Sequence, residues 1–128
     1  MANNGKPKPI KKVLIVEDEE SICRYLGSVL QRQDWQVLIA ADCNQAMSLF
    51  VQECPQACII DIHMPAGPDG MEILCRMKKV SPKTRCVMFT CDDDEVTAES
   101  ARTAGADGYF AKPLDSTGIK RMVKALEG

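Results

Sequence analysis

Five short apolar runs recur along this chain, and each is followed by a stretch of apolar residues at helical spacing. The runs are Lys12-Val13-Leu14-Ile15-Val16, Val37-Leu38-Ile39-Ala40, Ala57-Cys58-Ile59-Ile60, Arg85-Cys86-Val87-Met88-Phe89-Thr90 and Asp107 to Ala111. The first has no polar alternation, so it fits a parallel strand covered on both faces. Between the runs, Ile22, Leu26, Val29 and Leu30 recur with the helical period, as do Ala46, Leu49 and Phe50. A third helix is expected to place Met71, Leu74, Cys75 and Lys78 on one face. A fourth carries only Val96, Ala98, Ala101 and Ala104, and a last one turns Ile119, Met122, Val123 and Leu126 inward. Strands alternating with helices through short connections require right-handed crossovers. The fold class is α/β: a doubly wound, five-stranded parallel sheet with five helices on its two faces.

Local signals mark the boundaries. Gln33-Asp34-Trp35 reads as a turn, and Asp42 to Gln45 has the form of a capping box. Pro55, Ser81-Pro82, Gly105 and Lys112-Pro113 each end an element. Asp92-Asp93-Asp94-Glu95 puts acids at the start of the fourth helix, where the helix dipole favours them. Asp115 is placed to cap the last.

A chain of 128 residues fits one domain, here residues 12–128, and needs no disulfide or metal to fold. Residues 1–11, with Lys6-Pro7-Lys8-Pro9, read as a flexible N-terminal arm without the apolar core of a secretory signal. No stretch is long and apolar enough for a bilayer, so no membrane contact is expected. The net charge of −2 argues against a nucleic-acid surface. Seven cysteines, an odd number with no Cys-x-x-Cys pair, read as small buried hydrophobes in a reducing cytoplasm.

Polar residues gather where the strands end. Glu17 and Asp18 follow the first run, Asp61 the third and Lys112 the fifth, while Thr90 ends the fourth. Parallel strands bring all these ends to one edge, where ligands bind. With strand order 2-1-3-4-5, the first and third strands are neighbours and three carboxylates meet. Such a cluster seeks a cation, and oxygen ligands without Cys or His suit Mg²⁺, with Mn²⁺ as the alternative. Metal, Lys112 and the Thr90 hydroxyl would together surround a phosphoryl group. Asp61 is then the natural nucleophile, because a carboxylate can accept a phosphoryl group as an acyl phosphate. Glu19, Glu20 and Asp92–Asp94 read instead as solvated or capping acids.

The ordered set resembles the receiver domain of two-component response regulators, the CheY-like branch of the flavodoxin-like folds. The resemblance rests on Glu17-Asp18, on Ile60-Asp61-Ile62-His63-Met64-Pro65 with Asp69-Gly70, on Thr90, and on Gly105-Ala106-Asp107-Gly108-Tyr109-Phe110-Ala111-Lys112-Pro113. It spans residues 12 to 127. It implies that Asp61 takes a phosphoryl group from a histidine kinase or a histidine phosphotransfer protein. It implies that Glu17, Asp18, Asp61 and the backbone carbonyl of His63 hold Mg²⁺, and that Thr90 and Lys112 contact the phosphoryl oxygens. Thr90 and Tyr109 would be the switch residues, Tyr109 rotating inward to repack the surface of helix four, strand five and helix five. A cis Lys112-Pro113 bond is also implied. The domain would be a signalling phosphoacceptor, not an enzyme. Its partner would be a downstream protein or a covalently linked output domain, and a phosphorylation-linked homodimer fits the same scheme.

This sequence departs from the family pattern in two places. Ala66-Gly67-Pro68 lengthens the loop after Pro65 by one residue, and Cys91 follows Thr90 where a smaller residue is usual. His63 and Asp92, each two residues past a site residue, flank the phosphoryl position in the family. Three other readings compete: a phosphorylation-independent pseudo-receiver that binds proteins, a hydrolase with an aspartyl-phosphate intermediate, and a flavin binder. Asp61-Ile62-His63 lacks the second Asp of the usual phosphatase motif, and no phosphate loop follows the first strand.

Overall fold

Val13 to Val16 alternate between two apolar layers, and that alternation organises the molecule. Leu14 and Val16 join one buried cluster; Val13 and Ile15 join the other. The structure is a computed structural model that describes residues 10–65 and 67–128. The arm expected over residues 1–11 lies, but for its last two residues, outside the described residues, as does Ala66 of the lengthened loop.

The strands are β1 (Lys11–Val16), β2 (Trp35–Ala40), β3 (Ala57–Ile60), β4 (Arg85–Thr90) and β5 (Gly108–Ala111). The helices are α1 (Glu20–Arg32), α2 (Cys43–Glu53), α3 (Gly70–Val80), α4 (Glu95–Thr103) and α5 (Ser116–Glu127). All strand pairs are parallel, and the order is β2-β1-β3-β4-β5. The doubly wound sheet with order 2-1-3-4-5 and five helices is therefore the fold. Leu26 and Leu30 of α1 and Met122 and Leu126 of α5 pack on one face with Ile59 and Val87. Phe50 of α2, Leu74 and Met77 of α3 and Ala101 of α4 pack on the other with Ile60 and Met88.

Several local expectations are met. Asp115 caps α5, and Ile119, Met122, Val123 and Leu126 are buried. Asp42 accepts from the Gln45 N–H at 2.8 Å, but the Gln45 side chain reaches back to the Ala41 N–H at 3.0 Å, one residue earlier than a capping box requires. The Lys112–Pro113 bond is cis.

Others are corrected. Trp35 belongs to β2 and not to the turn before it; its indole is buried and Lys11 lies 4.8 Å from the ring centroid. The buried face of α3 is Ile73, Leu74 and Met77, with Cys75 exposed. Nearly every turn of α3 carries apolar residues, so helical spacing alone left the orientation open by one position. Cys54 and Cys91 are exposed as well, one at the end of α2 and one after β4, so only Cys23, Cys43, Cys58 and Cys86 are buried hydrophobes. Val96 faces solvent, 78% exposed, which leaves α4 held by Ala98 and Ala101. Asp107 precedes β5 and does not belong to it.

Candidate functional site

The site is built by extending the sheet one residue past its strands. The Glu17 N–H donates to the Ala40 carbonyl at 3.0 Å, and the Asp61 N–H to the Val16 carbonyl at 3.0 Å. The Lys112 N–H continues the same ladder to the Thr90 carbonyl at 2.8 Å. Backbone hydrogen bonds thus fix the Cα positions of three polar residues at one edge. After Asp61 the chain loops out and returns, the Gly70 N–H bonding the Ile62 carbonyl at 2.8 Å. A Cβ at Gly70 would lie 2.1 Å from the Asp61 carbonyl oxygen, so only glycine lets α3 start so close to the strand end.

Glu17, Asp18 and Asp61 each offer a carboxylate oxygen, and these lie within 4.8 Å of one another. Glu17 and Asp61 are buried; Asp18 is exposed. The Lys112 ammonium bridges the two buried acids, donating to Glu17 Oε1 at 2.7 Å and to Asp61 Oδ2 at 3.1 Å. The Phe89 ring lies 5.5 Å beneath it, which favours the cation further. Burial pushes the Glu17 carboxyl above the usual carboxylate range despite its bond to Lys112. The Lys112 ammonium rises above its ordinary value, because its bonds to Glu17 and Asp61 outweigh the burial that opposes them. One lysine faces three carboxylates, so the cluster carries an excess of negative charge. Three close oxygen donors, two of them buried, fit a small hard cation such as Mg²⁺.

Thr90 is fully buried, and its hydroxyl has no hydrogen-bond partner among the described residues. A buried hydroxyl without a partner is costly and marks a place where an acceptor belongs. The structure gives it no bond to Asp61 or to the Lys112 ammonium. The His63 N–H donates to Asp61 Oδ1 at 3.3 Å, while the His63 ring turns outward and bonds Asp92 Oδ2 at 2.8 Å. That bond holds the imidazole above its ordinary pKa, against the opposing effect of desolvation. Tyr109 is half-buried and donates its hydroxyl to the Asp92 carbonyl at 2.6 Å. Burial pushes its phenol up to about 12, with the charges of Asp92, Asp94 and Asp93 adding to the effect.

Of the residues picked from the sequence, Glu17, Asp18, Asp61 and Lys112 meet directly. His63 joins through its backbone N–H, which donates to Asp61, and Thr90 ends a strand at the same edge. Tyr109 connects instead to Asp92, which the sequence places among the capping acids and the family resemblance places beside the phosphoryl position. The His63–Asp92 pairing and the need for glycine at position 70 were missed. The spacing of Asp69-Gly70 after Asp61 held a signal for the second; nothing local signalled the first.

Comparison with known proteins identifies the family. The family model for the response regulator receiver domain matches residues 13–124. Sporulation initiation phosphotransferase F of Bacillus subtilis (strain 168) is 33% identical over 114 residues, covering 89% of this chain and 91% of that protein. The CheY-like receiver domain protein of Methanospirillum hungatei JF-1 is 26% identical with a TM-score of 0.83, covering 91% of this chain and 92% of that one. A response regulator from Burkholderia pseudomallei, solved with a phosphorylated aspartic acid, calcium ion and citrate, is 26% identical with a TM-score of 0.82 over 91% of this chain and 66% of its own. Among the described residues no helix is long and apolar enough to cross a membrane. A match over most of the chain, and a relative one-third identical nearly end to end, place this protein in the response regulator receiver domain family of two-component signalling.

Proposed function

We propose that Asp61 is a phosphoacceptor, charged from the phosphohistidine of a histidine kinase or histidine phosphotransfer protein. The observation that carries this reading is the buried, unpartnered Thr90 hydroxyl at the strand-end edge that also holds Asp61 and Lys112. An oxygen-rich group arriving at Asp61 would give that hydroxyl its acceptor and give Lys112 a new anionic partner.

In the transfer step a carboxylate oxygen of Asp61 attacks the phosphorus. The new P–O bond forms as the P–N bond to the donor imidazole breaks, and the imidazole keeps the electron pair. Most of the catalysis is positioning and charge neutralisation. Glu17, Asp18, the Asp61 carboxylate and the His63 carbonyl would hold Mg²⁺, with Mn²⁺ able to replace it. When bound, the cation supplies the positive charge that the carboxylate cluster and the phosphoryl oxygens share. Lys112 leaves the Asp61 oxygen it now bonds and pairs with the phosphoryl oxygens. Thr90 donates to them, and Tyr109 reports the change to the α4–β5–α5 surface.

The Bacillus subtilis relative is named a phosphotransferase, and the Burkholderia structure was solved with a phosphorylated aspartic acid, a calcium ion and citrate. Both support a relay role for this chain. The domain acts as a signalling phosphoacceptor that promotes its own charging and discharge, not as a turnover enzyme. Its signal passes to a downstream protein or a linked output domain.

The test is intact-protein mass after incubation with Mg²⁺ and a small acyl-phosphate donor. One phosphoryl adduct is expected, absent from Asp61→Asn and from an EDTA control. No adduct in the wild type under any condition would overturn the reading and favour a module that binds partners without phosphorylation.

A further inference from the structure

The loop between β4 and α4 is tied to the rest of the fold through one residue. Among the described residues 91–94, Asp94 bonds only within its own helix, to Thr97 and Ala98. Asp92 alone reaches other elements, and it does so twice. Its carboxylate takes the His63 ring at 2.8 Å, and its backbone carbonyl takes the Tyr109 hydroxyl at 2.6 Å. His63 in turn donates its backbone N–H to Asp61 Oδ1 at 3.3 Å. Three hydrogen bonds therefore run in series from Asp61 through His63 and Asp92 to Tyr109, crossing the loops that follow β3 and β4 and ending on β5.

We propose that Asp92 is a positioning residue: held by the His63 ring, it fixes the carbonyl on which the Tyr109 hydroxyl sits, and so presets the place of the Tyr109 phenol before any phosphoryl group reaches Asp61. This deepens the phosphoacceptor reading and rests on it for its consequence, although the geometry is present without a phosphoryl group.

The His63–Asp92 bond acts through position, not strength. The His63 side chain is 64% exposed, and an exposed ion pair contributes little to stability. Its effect lies in orientation. A carboxylate anchored at one end restricts the rotation of its own peptide, and the carbonyl of that peptide is the acceptor for Tyr109. Freed from His63, Asp92 can turn, and the phenol loses a fixed partner. Among the described residues His63 and Tyr109 share no hydrogen bond, and both bond Asp92, so a response of one to removal of the other is expected to pass through Asp92. The high phenol pKa keeps Tyr109 a donor throughout the neutral range.

The chain has two tyrosines, which makes the test direct. Fluorotyrosine is incorporated into the full chain, and fluorine NMR is recorded without cation or phosphodonor. Tyr109→Phe assigns the signals. Tyr25, 54% exposed on α1, serves as the internal control. In His63→Ala and in Asp92→Ala, the Tyr109 resonance is expected to shift or to gain a second component, from undetected to about a tenth or more of the signal. His63→Gln, which keeps a side-chain N–H, is expected to restore most of the wild-type line. An unmoved Tyr109 resonance in both alanine variants would overturn the proposal, as would equal movement of Tyr25. Adding Mg²⁺ and beryllofluoride to the wild type then judges the phosphoacceptor reading alone. A wild-type protein that ignores the analogue defeats that reading, while the comparison without analogue still decides the role of Asp92.

Discussion

Each edge of the sheet brings a lysine together with acid from a distant part of the chain, one carboxylate at one edge and three at the other, and the two gatherings are balanced differently. At the edge where the strands begin, Lys78 donates to Asp107 Oδ2 at 2.8 Å, to the Thr84 carbonyl at 2.7 Å and to the Pro82 carbonyl at 3.3 Å. Asp107 also accepts from the Cys86 N–H at 2.9 Å, with Arg85 3.5 Å away. Two cations serve one carboxylate, and every group is partnered. At the edge where the strands end, one cation serves three carboxylates, and a buried hydroxyl has no partner. The titration directions agree. Burial raises the Asp107 carboxyl, yet Lys78 and the Cys86 N–H hold it below its ordinary value; Glu17 stays above its own despite Lys112. A complete cluster stabilises the fold, whereas an incomplete one is kept ready for a ligand at some cost in stability.

The largest expected effect comes from breaking the complete edge. Asp107→Ala removes the carboxylate from Lys78 and leaves the Cys86 N–H without an acceptor. A loss of about 2–3 kcal/mol is expected in urea unfolding, because a partly buried lysine and a buried donor lose their partner together. Labelling at Asp61 should survive in the folded fraction. Loss of labelling with stability intact would reverse the roles assigned to the two edges.

The second effect completes the incomplete edge. Mg²⁺ at ten times its dissociation constant should stabilise the wild type by about 1.4 kcal/mol, read as a rise in Tm. Asp107→Ala should keep that rise, and Asp18→Asn should lose most of it. A rise that persists undiminished in Asp18→Asn would place the cation elsewhere.

A smaller effect appears in acid. The folded pKa of Asp107 lies below its unfolded value, so the unfolded chain binds the proton more readily. The stabilisation is complete above the unfolded pKa, about 3.9, and fades as pH falls through the lower folded value. Wild type should therefore lose stability faster than Asp107→Asn below about pH 4. Parallel acid limbs in the two proteins would show that Lys78 does not hold the Asp107 carboxylate in solution.

The difference between the edges also explains what could be read from the sequence. Val13 to Val16 announced a strand covered on both sides because all four residues are apolar. Glu17, Asp61 and Lys112 stood out because each is the first polar residue after such a run. Their convergence then followed from parallel topology. Asp107 gave no such sign. It sits in the fifth-strand motif, and its meaning depends on Lys78, 29 positions away on α3. The face of α3 was misread for a related reason: Met71, Ile73, Leu74, Cys75 and Met77 surround the helix, and only packing against β3 and β4 selects among them. The His63–Asp92 bond joins two loops whose sequences carry no periodicity at all. Elements with a repeating pattern were legible, and pairings between loops were not.

The smallest expected effect is the sharpest test of the comparison, because it concerns sign. Asp18 is exposed and has no cationic partner among the described residues, while Glu17 and Asp61 lie close beside it. In the absence of divalent cation its charge meets mainly repulsion. Asp18→Asn removes that repulsion without taking a partner from Lys112. Stability without cation should stay level or rise by about 0.5 kcal/mol or less, since solvent screens an exposed charge. Asp107→Asn, the same change of charge at the other edge, should lower stability. If both substitutions destabilise to the same degree, the strand-end cluster is as complete as the other, and its surplus of negative charge is not what draws a cation.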